Sequence, residues 1–138
     1  MLKYMLDTNI CIAIANDRPQ QARVKVDDLL GQGRSVLVSV VARYELQYGA
    51  AKSSKSESDW KRLSIFFSRL GEIEFDAEDA DSAGLIRGKL EKAGTPIGAY
   101  DYMIAGQALR RRLTLVTANV KEFGRVRGLH IENWLKQA

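Results

Sequence analysis

Tyr4-Met5-Leu6-Asp7-Thr8-Asn9-Ile10-Cys11-Ile12-Ala13-Ile14 sets one carboxylate between two apolar runs. A short apolar run suits a buried strand and the next suits a helix, so Asp7 stands where strand hands over to helix. Two other acids occupy similarly awkward places. In a helical segment at 40–51, Glu45 has Val41 and Ala42 behind it and Tyr48 and Gly49 ahead, a stripe expected to face a core. Asp101 has Ile97 and Gly98 behind it and Ile104 and Ala105 ahead, again an apolar stripe with one acid in it. A buried carboxylate is normally paired, neutralised or bound to a metal. No Lys or Arg has the right spacing within these stripes, which makes a divalent cation the economical partner.

Outward from that stretch, strands are expected at 2–6, 35–38, 73–75, 114–117 and 129–132, mostly too apolar to leave a face wet. Helices are expected at 10–16, 20–30, 40–51, 57–70, 77–93 and 99–112. Strands alternating with helices predict an α/β domain whose mainly parallel sheet of about five short strands is covered on both faces. Asp76, Glu78, Asp79 and Asp81 lack the glycine and terminal glutamate of a calcium loop and read instead as an acidic helix start. Gly94 reads as a helix stop, and the Ser- and Lys-rich stretch 52–58 as a loop between helices.

The 138 residues match one domain, 1–138, with 46% hydrophobic and 28% charged residues and only two prolines, which excludes a largely disordered chain. A net charge of +4 permits a polyanionic substrate without requiring one. The single cysteine, Cys11, lies in an apolar run and reads as a core residue, so an intrachain disulfide is excluded. No run approaches the roughly 20 apolar residues of a membrane span, and cytoplasmic residence is the expectation.

Several chemistries drop out. His130 is the only histidine, which excludes a nuclease using a histidine acid with a histidine base, and it reads as a strand residue. The glycines at 84–88 and at 31–33 fit neither a phosphate loop nor a dinucleotide fingerprint. Oxygen-ligand metal chemistry remains, with Asp7 and Asn119 both expected just past strand ends, where open parallel sheets place their sites. Two carboxylates ~5 Å apart repel by about 3 kcal/mol at an effective dielectric near 20, which calls for a cation or a raised pKa. Each residue also has an ordinary alternative: Asp7 as a helix cap, Glu45 paired with Arg43 or Lys52, Asp101 at a helix N-terminus, Asn119 in a turn.

Together, Met5-Leu6-Asp7-Thr8-Asn9, Glu45-Leu46 with Tyr48-Gly49-Ala50, Pro96 to Asp101 with Ile104-Ala105-Gly106, and Leu115-Val116-Thr117 with Lys121-Glu122-Phe123 resemble the PIN-domain ribonucleases. More narrowly, they resemble the VapC toxins of type II toxin–antitoxin modules, in order along essentially the whole chain. The resemblance implies a three-layer PIN-like fold and an acidic cluster of Asp7, Glu45 and Asp101 holding magnesium or manganese. Thr117 and Asn119 carry over as flanking polar positions, and Thr8 and Asn9 as supports beside Asp7. It further implies tRNA as substrate, growth arrest as outcome, a VapB-type antitoxin that occludes the site, and a homodimer with two active sites along one groove. Relatives often carry a histidine where Gln107 stands and an Asn-Asn or acidic pair where Ala118-Asn119 stands, so a neutral fourth ligand is expected.

The resulting expectation is a metal-dependent endoribonuclease with Asp7, Glu45, Asp101 and Asn119 as its catalytic set. Water attack in such a site leaves 5′-phosphate and 3′-hydroxyl ends. Arg110, Arg111, Arg112, Lys121, Arg125 and Arg127 are candidate phosphate contacts. Two rivals stand beside this reading: a phosphoacceptor receiver domain, and a catalytically weak or silent PIN-like module that binds RNA or a partner.

Overall fold

A computed structural model describes residues 3–16 and 18–135. The elements run β1 (Tyr4–Leu6), α1 (Thr8–Ala15), α2 (Gln20–Gly31), β2 (Val36–Ser39), α3 (Val40–Lys52), α4 (Ser56–Phe67), β3 (Gly71–Ile73), α5 (Ala77–Lys92), α6 (Ala99–Arg110), β4 (Thr114–Val116), α7 (Val120–Phe123) and β5 (Ile131–Glu132). Among the described residues, the five strands form one wholly parallel sheet in the order β3-β2-β1-β4-β5. Leu2, the expected first residue of β1, lies outside the described residues.

Strand β1 is central, with Tyr4 opposite Val36 on one side and Thr114 on the other. All three of its residues are buried, as a parallel strand covered on both faces requires. The chain builds outward from β1 through β2 to β3, then returns to the other side for β4 and β5. That reversal places the switch point of the sheet between β1 and β4. Crevices beyond the C-terminal strand ends at such a point are where open α/β sheets hold their ligands.

Helices α1, α3 and α6 bring the core residues Ile10, Ile14, Ala42, Leu46, Ile104 and Ala105 against the sheet. Cys11 is fully buried among them, and that burial pushes its thiol up, in keeping with a core residue. Helices α5 and α6 approach so closely that a Cβ on Gly106 would meet the Ala83 backbone nitrogen at 2.5 Å. Ser82 adds a hydrogen bond by donating to the Gly106 carbonyl at 2.8 Å.

Asp76 caps α5 in a reciprocal box with Asp79, as the acidic start predicted. Gly94, at φ 75°, ends that helix, with the Thr95 N–H donating to the Leu90 carbonyl. The expected loop shrinks to 53–55, because α4 begins at Ser56. The third strand differs most from expectation, at 71–73 instead of 73–75. Just past its end the Glu74 carbonyl accepts from Gln107 Nε2 of α6 at 2.8 Å and from Arg111, the residue after that helix, at 3.1 Å, bonds that take the place of a ladder partner.

Candidate active site

Asp7 follows β1 and caps α1, with Oδ1 accepting from the backbone N–H groups of Asn9 at 2.9 Å and Ile10 at 3.3 Å. The ordinary reading of Asp7 as a cap is therefore correct, but it accounts for only one oxygen. Oδ2 accepts a 2.5 Å hydrogen bond from the hydroxyl of Thr117, which follows β4 across the switch point. Thr117 Oγ1 in turn accepts from the Asn119 N–H at 2.9 Å. Burial raises the Asp7 carboxyl above its ordinary range, against the lowering effect of Thr117 and the two N–H donors.

Glu45 comes from α3, whose buried stripe is Val41, Ala42, Leu46 and Ala50. Tyr48 and Gly49 were expected on that stripe and are exposed instead, which leaves Glu45 half-buried at its edge. Its Oε1 accepts from the Thr8 hydroxyl at 2.8 Å. Thr8 thus supports Glu45, not Asp7, while Asn9 supports Asp7 through its backbone. Arg43, one of the partners considered for Glu45, pairs with Glu72 at 2.8 Å. Burial raises the Glu45 carboxyl, and the nearby charge of Asp7 adds to the rise.

Asp101 lies in the first turn of α6, half-buried. Burial first, then the charges of Glu45, Asp7 and Glu122, push its carboxyl up to about 6. Gly98 leaves it room, since a Cβ at that position would meet Asp101 Oδ2 at 2.9 Å. Three acids far apart in sequence thus share one electrostatic neighbourhood.

Glu122 is a fourth acid that pattern reading did not assign to the site. It lies on α7, a four-residue helix too short to leave a periodic signal. Asn119 Nδ2 donates to Glu122 Oε2 at 3.0 Å. Asn119, expected as a neutral fourth ligand, bonds both Thr117 and Glu122 and so ties a fourth acid to the cluster.

In the geometry present, no three Asp, Glu, His or Cys side chains among the described residues are gathered tightly enough to enclose an ion. Like charges repel, so Asp7, Glu45 and Glu122 have each turned to a hydroxyl or an amide. The donor chemistry of the cluster nonetheless fits a hard divalent cation: four carboxylates, two flanking threonine hydroxyls, no sulfur ligand, and a glycine that keeps space beside Asp101.

The basic candidates separate. Arg110 and Arg111 are not free to meet phosphates. Arg110 donates to Asp79 at 2.9 Å and Glu78 at 2.7 Å, and Arg111 to Asp79 at 2.9 Å and Asp76 at 3.4 Å. Asp79 has no exposed surface, and α6 carries these arginines to the end opposite Asp101, about 14 Å along the axis. Arg112 is exposed at that same far end. Arg125 donates to the Pro96 carbonyl at 2.9 Å and braces the loop before α6. Lys121 and Arg127 are exposed. His130, expected within the last strand, lies just before β5 and is exposed.

A family model for the PIN domain matches residues 4–129. The chain is 43% identical over 134 residues to the tRNA(fMet)-specific endonuclease VapC of Shigella flexneri, covering 97% of this chain and 99% of that protein. It is 42% identical over 133 residues to Ribonuclease VapC2 of Rickettsia felis, covering 96% and 98%. This chain belongs to the VapC ribonucleases of the PIN-domain family. The toxin of the Rickettsia felis VapBC2 complex, solved bound to a DNA fragment from its promoter, superposes with a TM-score of 0.90 at 40% identity, covering 96% of this chain and 99% of that one. Among VapC ribonucleases the wholly parallel five-stranded sheet is thus the shared frame, and the receiver-domain reading falls away. The silent-module reading rested on Ala118 and the neutral Asn119, and Asn119 lies hydrogen-bonded to an acid, Glu122.

Proposed function

We propose that this VapC ribonuclease cuts tRNA in the cytoplasm with Asp7, Glu45, Asp101 and Glu122 around magnesium or manganese, residues 1–138 acting as one PIN-like domain. Growth arrest follows, and a VapB-type antitoxin relieves it by occluding the cluster. A homodimer sets two such clusters along one groove. One observation carries the reading: Asp7 after β1, Glu45 on α3, Asp101 on α6 and Glu122 on α7 share the switch point, with Thr117 and Asn119 tying Asp7 to Glu122, and after burial the charges of Glu45, Asp7 and Glu122 add to the rise of Asp101. Metal-centred hydrolysis uses that repulsion, whereas a fold alone gains nothing from it.

Asp7 and Asp101 would hold the ion, with Glu122 beside them. A divalent cation there supplies Lewis acidity, acidifying water and neutralising charge on the phosphate. Glu45, held by Thr8 through one oxygen, keeps its other oxygen available to orient the attacking water and take its proton. Thr117 fixes Asp7 by a hydrogen bond that a freely rotating carboxylate would lack. Asn119 holds Glu122 and, through Thr117, Asp7 in one network. Water attack leaves 5′-phosphate and 3′-hydroxyl ends.

The test is total tRNA incubated with purified protein, with magnesium or manganese, with chelator, and with Asp101→Ala. Discrete fragments with 5′-phosphate ends that require both metal and Asp101 are expected. Cyclic phosphate ends would overturn the mechanism, and intact RNA from demonstrably folded protein would overturn the nuclease reading. A second readout needs no turnover: magnesium should raise the melting temperature of the wild type and leave Asp101→Ala unmoved.

A further inference from the structure

Three large rings stand in solvent beside the acid cluster. Tyr44 and Tyr48 lie one turn apart on α3, each 58% exposed, and Tyr100 lies in the first turn of α6, 42% exposed. The Tyr44 and Tyr100 rings meet with centroids 5.5 Å apart and planes tilted by 50°, and the Tyr100 hydroxyl donates to that of Tyr44 at 3.4 Å. Tyr44 immediately precedes Glu45, and Tyr100 immediately precedes Asp101. Further along α3, Lys52 lies 5.0 Å from the Tyr48 ring centroid and donates to its hydroxyl at 3.2 Å. Tyr44 and Tyr48 also line a groove of about 620 Å³ whose floor and walls include Arg43, Gln47 and Trp60.

The fold has little use for these exposed rings, whereas the reaction has a clear one. A cluster of four acids repels the phosphate backbone it must cut, and Arg110 and Arg111 are committed elsewhere. Lys121 and Arg127 stay exposed for the phosphates, and contact with the bases adds affinity that this repulsion does not weaken. Aromatic faces provide it, because every base has a π-face and stacking tolerates any sequence.

Building on the site reading above, we propose that Tyr44, Tyr100 and Tyr48 form a stacking platform for unpaired RNA bases next to the scissile phosphate, with Lys52 meeting the backbone beyond them. The occupant is a single-stranded RNA segment. Three features favour it over a protein: the rings adjoin two site acids in sequence, the strip ends in a cation, and its groove is lined by an arginine and polar edges as well as by rings. An intact duplex would not fit the platform, because its bases are stacked on each other.

The probe is a short single-stranded RNA carrying 2-aminopurine, titrated in chelator so that nothing is cut, and read by anisotropy and by quenching of the fluorescent base. Tyr44→Ala and Tyr100→Ala should each weaken binding by roughly 5- to 100-fold and relieve the quenching, while Tyr44→Phe and Tyr100→Phe keep both. With magnesium, the alanine variants should raise KM more than they lower kcat. Unchanged affinity and quenching in alanine variants that melt like the wild type would overturn the platform. So would a fall in sedimenting mass with quenching intact, since the face would then join two copies of the chain. Wild type that binds and quenches the probe but never cuts it with either metal would overturn the site reading and leave the platform standing.

Discussion

Asp79→Asn should destabilise this protein by about 3 kcal/mol without touching its chemistry. Five donors converge on the buried Asp79 carboxylate. Oδ1 accepts from Arg110 at 2.9 Å and Arg111 Nε at 3.1 Å, and Oδ2 from Arg111 Nη2 at 2.9 Å, Gln107 at 3.0 Å and the Asp76 N–H at 3.0 Å. An asparagine amide nitrogen accepts nothing, so at least the two Oδ1 bonds are lost, each worth about 1.5–3 kcal/mol with a charged partner. Arg110 and Arg111 keep Glu78 and Asp76, which offsets part of the loss. With an m-value of about 2 kcal/mol/M, the urea midpoint should fall by roughly 1.5 M. The loss should also depend on pH. Burial pushes the Asp79 carboxyl up, but Arg111, the Asp76 N–H, Arg110 and Gln107 outweigh it and hold the folded value well below the usual carboxylate range. A depressed carboxylate contributes stability that is complete above its unfolded value near ~3.9 and is lost as pH falls through the folded value. The gap between wild type and variant should therefore narrow below about pH 4. A midpoint shift under ~0.5 M, or a gap equal at pH 7 and pH 3, would refute the reasoning.

Gly98→Ala puts a methyl 2.9 Å from Asp101 Oδ2, and the flexible carboxylate yields before the backbone does, so kcat for RNA cleavage should fall roughly 10- to 100-fold with little change in melting temperature. Thr117→Val keeps the shape but leaves Asp7 Oδ2 and the Asn119 N–H without their partner, and should cost about 1–3 kcal/mol in a urea melt together with most of the activity. Arg112→Gly should stabilise the protein by on the order of 0.5–1 kcal/mol, since an L-residue in the left-handed region costs ~1–2 kcal/mol and glycine's extra unfolded freedom returns only part of it. Arg112 has φ 57° at a helix end of the kind that Gly33 and Gly94 serve elsewhere in the chain, and calorimetry on the variant checks the rise.

The sequence by itself determined the alternation of elements and three of the acids. Short apolar runs such as Met5-Leu6 and Leu115-Val116 suit buried strands, and a lone carboxylate at the end of one, or inside a helix's apolar stripe, is conspicuous because burial makes it costly. Helix ends were legible wherever a residue type has a conformational reason to stop the helix, as at Gly94. Arg112 hid the end of α6, because nothing in an arginine announces a left-handed residue, and the expected helix accordingly ran two residues too long.

Only the tertiary structure decided which polar groups meet. Hydrogen bonds between Thr8 and Glu45, or between Thr117 and Asp7, span 37 and 110 residues and leave no periodic trace. Glu122 lies beside the acid cluster, and Arg110 and Arg111 pair with Asp79, for the same physical reason. Charge at a position is written in the sequence, but its partner is chosen by chain segments folded against it, and electrostatic energy depends on that distance.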